Sequence, residues 1–372
     1  MIQHDEFGPE KIVEVYDAKT GMRGVLVIDN TALGPGKGGI RMTPGVSVEE
    51  VFRLARTMTW KTAISELPFG GAKSGIMADP KKITKEQKHE LIRAFSRAIK
   101  PLCPSRYIAA PDINTAEEDM EVFAKENGSL RSATGKPSNL CETPGRFCGI
   151  PHEFGSTGIG VAHATKVAAE FVGIDLNGAT VAIEGFGNVG SFAAESLQEM
   201  GAKIVAVSDS RGCIYNAGGL DVKKLIETKK SGSVTTYRPG EIIKNERIFT
   251  LDVDILIPAA LPDVINANNV NGVKAKILVE AANIPMKPEI EQILFSKNVL
   301  VIPDFVANAG GVISSYAEYR GYHPKEMFKM VENKIRKNTE LVLKMSAEKK
   351  IKPRDAAMDI AMERVRSAMR LI

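Results

Sequence analysis

Between Ala179 and Pro303 the chain alternates short, almost wholly apolar runs with segments of helical character. The runs are TVAIE (Thr180–Glu184), KIVAVS (Lys203–Ser208), DILIP (Asp254–Pro258), KILVE (Lys276–Glu280) and VLVIP (Val299–Pro303). Strands this apolar have no face for water. They need cover on both sides, as in a parallel sheet packed between helices. The fold class is therefore α/β. The first run leads straight into GFGNVG: Gly185, Phe186, Gly187, Asn188, Val189 and Gly190. A helix is expected over Val189–Met200, stopped by Gly201, and the next strand ends at Asp209, 24 residues after Gly185. G-x-G-x-x-G alone is a weak signal. Between a strand and a helix it is the unit that sets a pyrophosphate on a helix N-terminus and a carboxylate near the adenosine ribose. Asp209 there favours NAD, through the 2′-hydroxyl. Ser208, Ser210 and Arg211 suit a 2′-phosphate, so NAD and NADP both stay open.

At 372 residues the chain exceeds what one core supports, and two domains are expected. The first half has a different grammar. Ile12–Tyr16 and Gly24–Ile28 bracket a turn at Lys19–Gly21 and predict a hairpin. Ser47–Thr59 has apolar residues at helical spacing, with Ser47 and Glu50 as a capping box. Thr84–Ile99 predicts a second amphipathic helix, ended by Pro101. Residues 135–158, rich in Gly, Pro, Ser and Thr, are expected to be the crossover between domains, followed by a helix over Thr157–Val172. The first domain is expected over 1–150, with a C-terminal helix (335–372) packing back onto it. The second is expected over 151–334. From Pro324 onward the chain is expected to be helical, with a break near Pro353.

Lys37, Lys61 and Lys73 fall within 37 residues, in GPGKGGIR, MTWK and PFGGAKSG. Glycine lets backbone approach a ligand closely. An ammonium held there grips an anion or has its pKa lowered for chemistry. The segment predicts a pocket for a small, multiply negative substrate, against the alternative of three solvated lysines in ordinary turns. The net charge of +4 is small and spread out, with no basic block carrying aromatics, so nucleic acid is not an expected partner. No apolar run reaches the ~20 residues of a membrane span, and the polar N-terminus is unlike a signal peptide. Cys103, Cys141, Cys148 and Cys213 contain no CxxC pair, and are expected to be reduced thiols in a cytoplasmic protein, with pairing or metal binding by Cys141 and Cys148 as the lesser alternative. No histidine or cysteine cluster predicts a metal.

The chain resembles the glutamate/leucine/phenylalanine/valine dehydrogenases over nearly its whole length. The matching blocks are YDAKTG, GPGKGGIRM, LARTMTWKTA, LPFGGAKSGI, AAPDINT, VAIEGFGNVG, VSDSRGCIY, IPAAL, VEAAN and IPDFVANAGGV. The resemblance implies an N-terminal α/β substrate-binding domain and a Rossmann-type dinucleotide-binding domain closing over a cleft. It also implies NAD(P)-dependent, reversible oxidative deamination of an L-amino acid to a 2-oxo acid and ammonia. By the same resemblance Lys61 binds the substrate α-carboxylate, Lys73 is the catalytic lysine, and Asp112 shuttles protons. Asn308 and Val312 help hold the substrate, and Thr157 and Asn283 lie near the nicotinamide. From residue type alone Asp112 is equally a helix cap before Ala116–Phe123.

Glutamate enzymes of the family carry a lysine at the place of Lys37 and a serine at that of Ser315; branched-chain enzymes are apolar at both. A buried lysine beside an apolar side chain would be an unpaired charge. L-Glutamate and 2-oxoglutarate are therefore the expected substrates. A branched-chain or aromatic amino-acid dehydrogenase is the alternative, because YDAKTGMRGVLVIDNTALGPG is more similar to the leucine and phenylalanine enzymes. Glu153 stands where many glutamate enzymes have arginine. The resemblance implies a homo-oligomer, with a hexamer expected and an octamer or dimer left open.

Overall fold

The computed structural model describes residue 2 and residues 4–371. Two compact units emerge. One comprises Met1–Phe154, Val312–Met330 and Asp359–Ile372; the other comprises Gly155–Gly311 and Val331–Met358.

In the first unit the expected hairpin is present as β1 (Lys11–Asp17) and β2 (Met22–Asn30), antiparallel, with Val13 opposite Leu26. There follow β3 (Gly36–Met42), α1 (Val48–Ile64), β4 (Gly70–Ile76), α2 (Lys85–Ile99), β5 (Tyr107–Pro111) and α3 (Glu117–Asn127). The sheet order is β1-β2-β4-β3-β5, with β3 parallel to both its neighbours. The period-two alternation of β2 sorts its side chains onto two cores. Leu26 and Ile28 pack with Phe95 of α2 and Phe123 of α3. Val25 and Val27 pack with Val51 and Ala55 of α1. Helix α1 can lie this close because β4 is glycine-rich: a Cβ on Gly71 would stand 2.0 Å from Thr59 Oγ1. Thr84 caps α2 in a complete capping box with Gln87. At α1 the box is only half made. Ser47 accepts from the Glu50 amide, but the Glu50 carboxylate turns to Arg41 instead.

The expectation of four reduced thiols is corrected at one pair. Two short strands, β6 (Cys141–Thr143) and β7 (Arg146–Cys148), form an antiparallel ribbon in which Cys141 faces Cys148, and the two are joined in a disulfide. Pro144 and Gly145 make the two-residue turn, Gly145 at φ +72°, and that turn sets the register that opposes the cysteines. The lesser alternative, a Cys141–Cys148 pair, is the one the structure forms.

In the second unit come α4 (Ser156–Phe171), β8 (Thr180–Glu184), α5 (Asn188–Glu199), β9 (Lys203–Asp209), β10 (Gly212–Tyr215) and α6 (Val222–Lys230). They are followed by β11 (Glu241–Ile243), β12 (Ile255–Pro258), β13 (Ile277–Val279), α7 (Pro288–Ser296), β14 (Leu300–Ile302) and α8 (Asp304–Ala307). The seven-stranded sheet runs β11-β10-β9-β8-β12-β13-β14. Strands β9 through β14 in that order are parallel, and β10 and β11 add an antiparallel edge. The five apolar runs of the sequence are the five parallel strands. Sequence order reverses at β8, with β9 on one side and β12 on the other, and such a switch point opens a crevice at the strands' carboxyl ends. The remaining helices are α9 (Gly310–Tyr319), α10 (Pro324–Lys349) and α11 (Pro353–Met369), with the break before Pro353. Among the described residues no helix is long and apolar enough to cross a membrane.

Candidate active site

Alternation along β3 and β4 gathers the lysines onto one face of the first unit's sheet. Lys37 is in register with Gly71, and Lys73 with Val27, so both lysines share the face that α1 covers. Lys61 lies in the last turn of α1, half-buried. Asp112 follows directly on β5, next to β3. A Cβ on Gly39 would meet Asp112 Cβ at 2.8 Å, and one on Gly38 would meet the Ala72 carbonyl oxygen at 1.7 Å. Only glycine at both positions lets the acid and β4 close over β3.

Lys73 Nζ lies 3.1 Å from Asp112 Oδ2, and Arg41 Nε donates to the same oxygen at 2.9 Å. Arg41 is held in turn by Glu50 at 2.6 Å. Burial pushes the Lys73 ammonium below its ordinary pKa, and Asp112 offsets part of that. Burial pulls Asp112 up, but Lys73 and then Arg41 outweigh it, leaving the carboxyl below its ordinary value. The Asp112 side chain is therefore not a helix cap. The α3 cap is served by Asp119, which accepts from the Ala116 amide. A buried amine of lowered pKa beside an ionised acid is a set for proton transfer. Because the Asp112 charge raises the Lys73 pKa, Asp112→Asn moves it further down. The check is the pH dependence of Lys73's reaction with an amine-directed reagent, read by mass spectrometry; a shift to higher pH would contradict the coupling.

Lys37 sits deeper than a surface pocket residue. It is 1% exposed and donates to the Ala109 carbonyl at 2.7 Å. Burial pushes its pKa well down; Glu318 opposes this, while Lys136 and Lys73 add to it. Glu318 forms a buried ion pair with Lys136 and accepts from the amides of Gly135 and Ile150. Ser315 is buried one turn before Glu318, with Val312 a turn earlier still. Tyr316 and Tyr319 pack edge-on against Phe69. The helix bearing Ser315 is thus pinned to the first unit by an ion pair and two rings.

In the second unit GFGNVG spans the end of β8 and the start of α5. Gly185 takes φ +92°, and a Cβ on Gly190 would stand 1.9 Å from the Gly185 carbonyl oxygen. Nothing lies within 4 Å of a Cβ built on Gly187. The turn is closed where helix meets strand and open where a ligand would approach, and the α5 N-terminus has no side-chain cap. These residues fit a dinucleotide pyrophosphate. Asn308 donates to Asn283 Oδ1 at 3.0 Å and to the Ala281 carbonyl at 3.1 Å, while its own Oδ1 is buried with no partner among the described residues. A Cβ on Gly310 would strike the Ser156 carbonyl at 2.0 Å, so this segment abuts the start of α4, where Thr157 lies. An unsatisfied amide oxygen there suits a carboxamide donor.

The 2′ end differs from expectation. Ser208 is buried, and its Oγ accepts from the Gly185 amide at 3.2 Å. Asp209 is already fully engaged by its own unit, through Lys229, Ser233 and the amides of Arg211 and Val234. Ser210 and Arg211 are exposed. Among the described residues no group of three or more His, Cys, Asp or Glu is placed to hold a metal ion.

Sequence reasoning passed over Arg41, Glu50, Lys136, Glu318 and Lys229. Arg41 was within reach: residues 37, 39 and 41 alternate onto one face of a strand. Lys136 with Glu318 and Lys229 with Asp209 pair across 182 and 20 residues.

The family described as Glu/Leu/Phe/Val dehydrogenase, dimerisation domain, matches residues 9–128, and Glutamate/Leucine/Phenylalanine/Valine dehydrogenase matches residues 148–371. A glutamate dehydrogenase of Thermotoga maritima is 48% identical over 316 residues, covering 82% of this chain and 73% of its own. One from Aeropyrum pernix is 43% identical over 362 residues, covering 92% and 84%. The crystal structure of a hetero-hexameric glutamate dehydrogenase from Thermus thermophilus superposes with a TM-score of 0.84 at 29% identity, over 98% of this chain and 90% of that one. With both halves matched, and with relatives 43–48% identical over most of the chain, the chain belongs to the glutamate/leucine/phenylalanine/valine dehydrogenase family of oxidoreductases.

Proposed function

We propose that this protein catalyses the reversible, NAD(P)-dependent oxidative deamination of L-glutamate to 2-oxoglutarate and ammonia. The observation that carries the reading is the buried Lys73–Asp112 pair, with Lys37 on the same sheet face. In this reading the first unit (1–154, 312–330 and 359–372) binds the amino acid and the second (155–311 and 331–358) binds the coenzyme. Gly185, Phe186, Gly187, Asn188, Val189 and Gly190 hold the pyrophosphate, and Thr157, Asn283 and Asn308 attend the nicotinamide end. The coenzyme, when bound, supplies the acceptor for the hydride leaving the glutamate Cα.

The chain's own residues do the rest. Lys61 anchors the α-carboxylate. Neutral Lys73, favoured by burial, takes a proton from the water that attacks the substrate iminium, and its ammonium then stabilises the developing oxyanion. Asp112, ionised at rest, takes a proton from the Lys73 ammonium 3.1 Å away and passes it to the departing amine, which returns Lys73 to its neutral form. Lys37 and Ser315 receive the γ-carboxylate. A homo-oligomer acting in the cytoplasm completes the proposal, its six subunits taken by analogy from the number in the hetero-hexameric Thermus thermophilus assembly.

The test is reductive amination of 2-oxoglutarate against 4-methyl-2-oxopentanoate by the purified protein. A preference for the apolar oxo acid would replace the glutamate reading with the branched-chain one, and no rate with either would end both. Lys37→Leu should lower kcat/KM for 2-oxoglutarate by roughly 10–100-fold, the worth of one charge-assisted hydrogen bond. It should do so while largely sparing the apolar oxo acid; equal losses on both would remove Lys37 from the specificity pocket.

A further inference from the structure

We propose that this chain selects a 2′-phosphorylated adenine dinucleotide, because Asp209 is locked by Lys229, Ser233 and two backbone amides, leaving Ser210 and Arg211 to read the 2′ position. The inference rests on the dinucleotide reading of the second unit and adds which coenzyme it takes.

A carboxylate at the end of β9 normally favours NAD by accepting from the ribose hydroxyls. Here every acceptor site is spent. Oδ1 accepts from the Arg211 amide at 2.9 Å and from Ser233 Oγ at 3.0 Å. Oδ2 accepts from Lys229 Nζ at 2.5 Å and from the Val234 amide at 3.0 Å. Two donors on each oxygen exhaust a carboxylate's ordinary capacity. The side chain is 5% exposed, and Asn245 Nδ2 fixes the backbone by donating to the Asp209 carbonyl at 2.8 Å. To bind a ribose hydroxyl, Asp209 would have to give up its ion pair with Lys229 or its hydrogen bond from the buried Ser233 hydroxyl.

The lock also shapes what remains. The Asp209 bond to the Arg211 amide closes the turn between β9 and β10, in which Gly212 faces Asp209. That turn exposes Ser210 and Arg211. Lys229 cancels the Asp209 charge, which would otherwise repel a phosphate. The Arg211 guanidinium is then the uncancelled charge at the turn, with a geometry suited to phosphate.

The experiment is calorimetric titration of the intact protein with 2′-phospho-ADP-ribose and with ADP-ribose, neither of which requires turnover. The phosphorylated probe should bind roughly 10–100-fold more tightly, as for one charge-assisted hydrogen-bonding site. Arg211→Ala should erase most of that ratio. Lys229→Met, checked for folding by its thermal transition, should lower it too, by uncovering the Asp209 charge. Equal binding or a preference for ADP-ribose in the unaltered protein overturns the proposal. So does a ratio that survives Arg211→Ala, or one that Lys229→Met leaves unchanged or increases. If neither probe binds, the dinucleotide reading itself falls. If both bind with ADP-ribose preferred, only the coenzyme choice falls.

Discussion

Replacing Lys73 with alanine lowers the rate of glutamate deamination by about 10³–10⁴-fold, while the protein stays folded. A positioned general base contributes roughly 10²–10⁴ to a rate, and the same nitrogen, once protonated, stabilises the oxyanion. The loss therefore lies toward the upper end of that range. The fold is expected to survive because the buried ammonium adds little to stability. Burial works against its charge, and its carboxylate partner keeps Arg41 at 2.9 Å when the lysine is gone. Asp112 thus keeps a charged partner. Steady-state kinetics with a thermal melt separates the two effects. A Lys73→Ala protein within tenfold of the unaltered rate would remove the lysine from the mechanism, and one that fails to fold would make it a structural residue.

The largest stability effect is expected far from that lysine, at Arg354. Its guanidinium bridges three buried carboxylates of the second unit: Glu280 at 2.5 Å, Glu291 at 2.7 Å and Asp304 at 3.1 Å. Their side chains are at most 4% exposed, and the second oxygens of Glu280 and Glu291 have no partner among the described residues. Removing one member of a buried ion pair typically costs about 3–5 kcal/mol. Arg354→Met strands three acids at once, so at least that loss is expected, in the unfolding of the second unit. The loss has a pH signature. Burial raises the Glu280 pKa to about 8, against an opposing pull from Arg354. An acid whose folded pKa is raised holds more protons folded than unfolded, so stability falls as pH rises from its ordinary value of 4.5 toward 8. Without Arg354 that pKa climbs further, so the variant's deficit should grow as pH rises above about 8, where Glu280 of the unaltered protein has ionised and that of the variant still holds its proton. Denaturant melts at acid and alkaline pH measure it; a deficit constant with pH, or below about 1 kcal/mol, would contradict the account. Asp304 also accepts from the Ile284 amide, and Asn308 lies one turn after Asp304. Nicotinamide-end geometry should suffer with stability.

The elements were legible because their signals are local. An all-apolar run of five residues commits a strand to burial on both faces, and all five such runs became the parallel strands. Thr84 with Gln87 is a cap whatever the rest of the chain does. Glycine at 185, 187 and 190 between strand and helix permits only a narrow set of turns. Lys73 and Asp112 were legible too, but only through the family's blocks: 39 residues apart in sequence, they carry no spacing rule that brings them together. The pairing of Cys141 with Cys148 is an alternative that composition ranks below reduced thiols and that the register of the Pro-Gly hairpin brings about.

By itself, then, the sequence determined the α/β class, the two-part organisation, the order of elements and the residue types available for chemistry. Which partner each charge took was left to the tertiary structure. Arg41 on Asp112, Glu318 on Lys136, Lys229 on Asp209 and Arg354 on three acids are contacts between segments from 20 to 182 residues apart. Helical and strand periodicities encode which face a residue occupies. A buried charge must find its counter-charge in space, and that choice is made only when the packed elements decide which groups share the same dry volume.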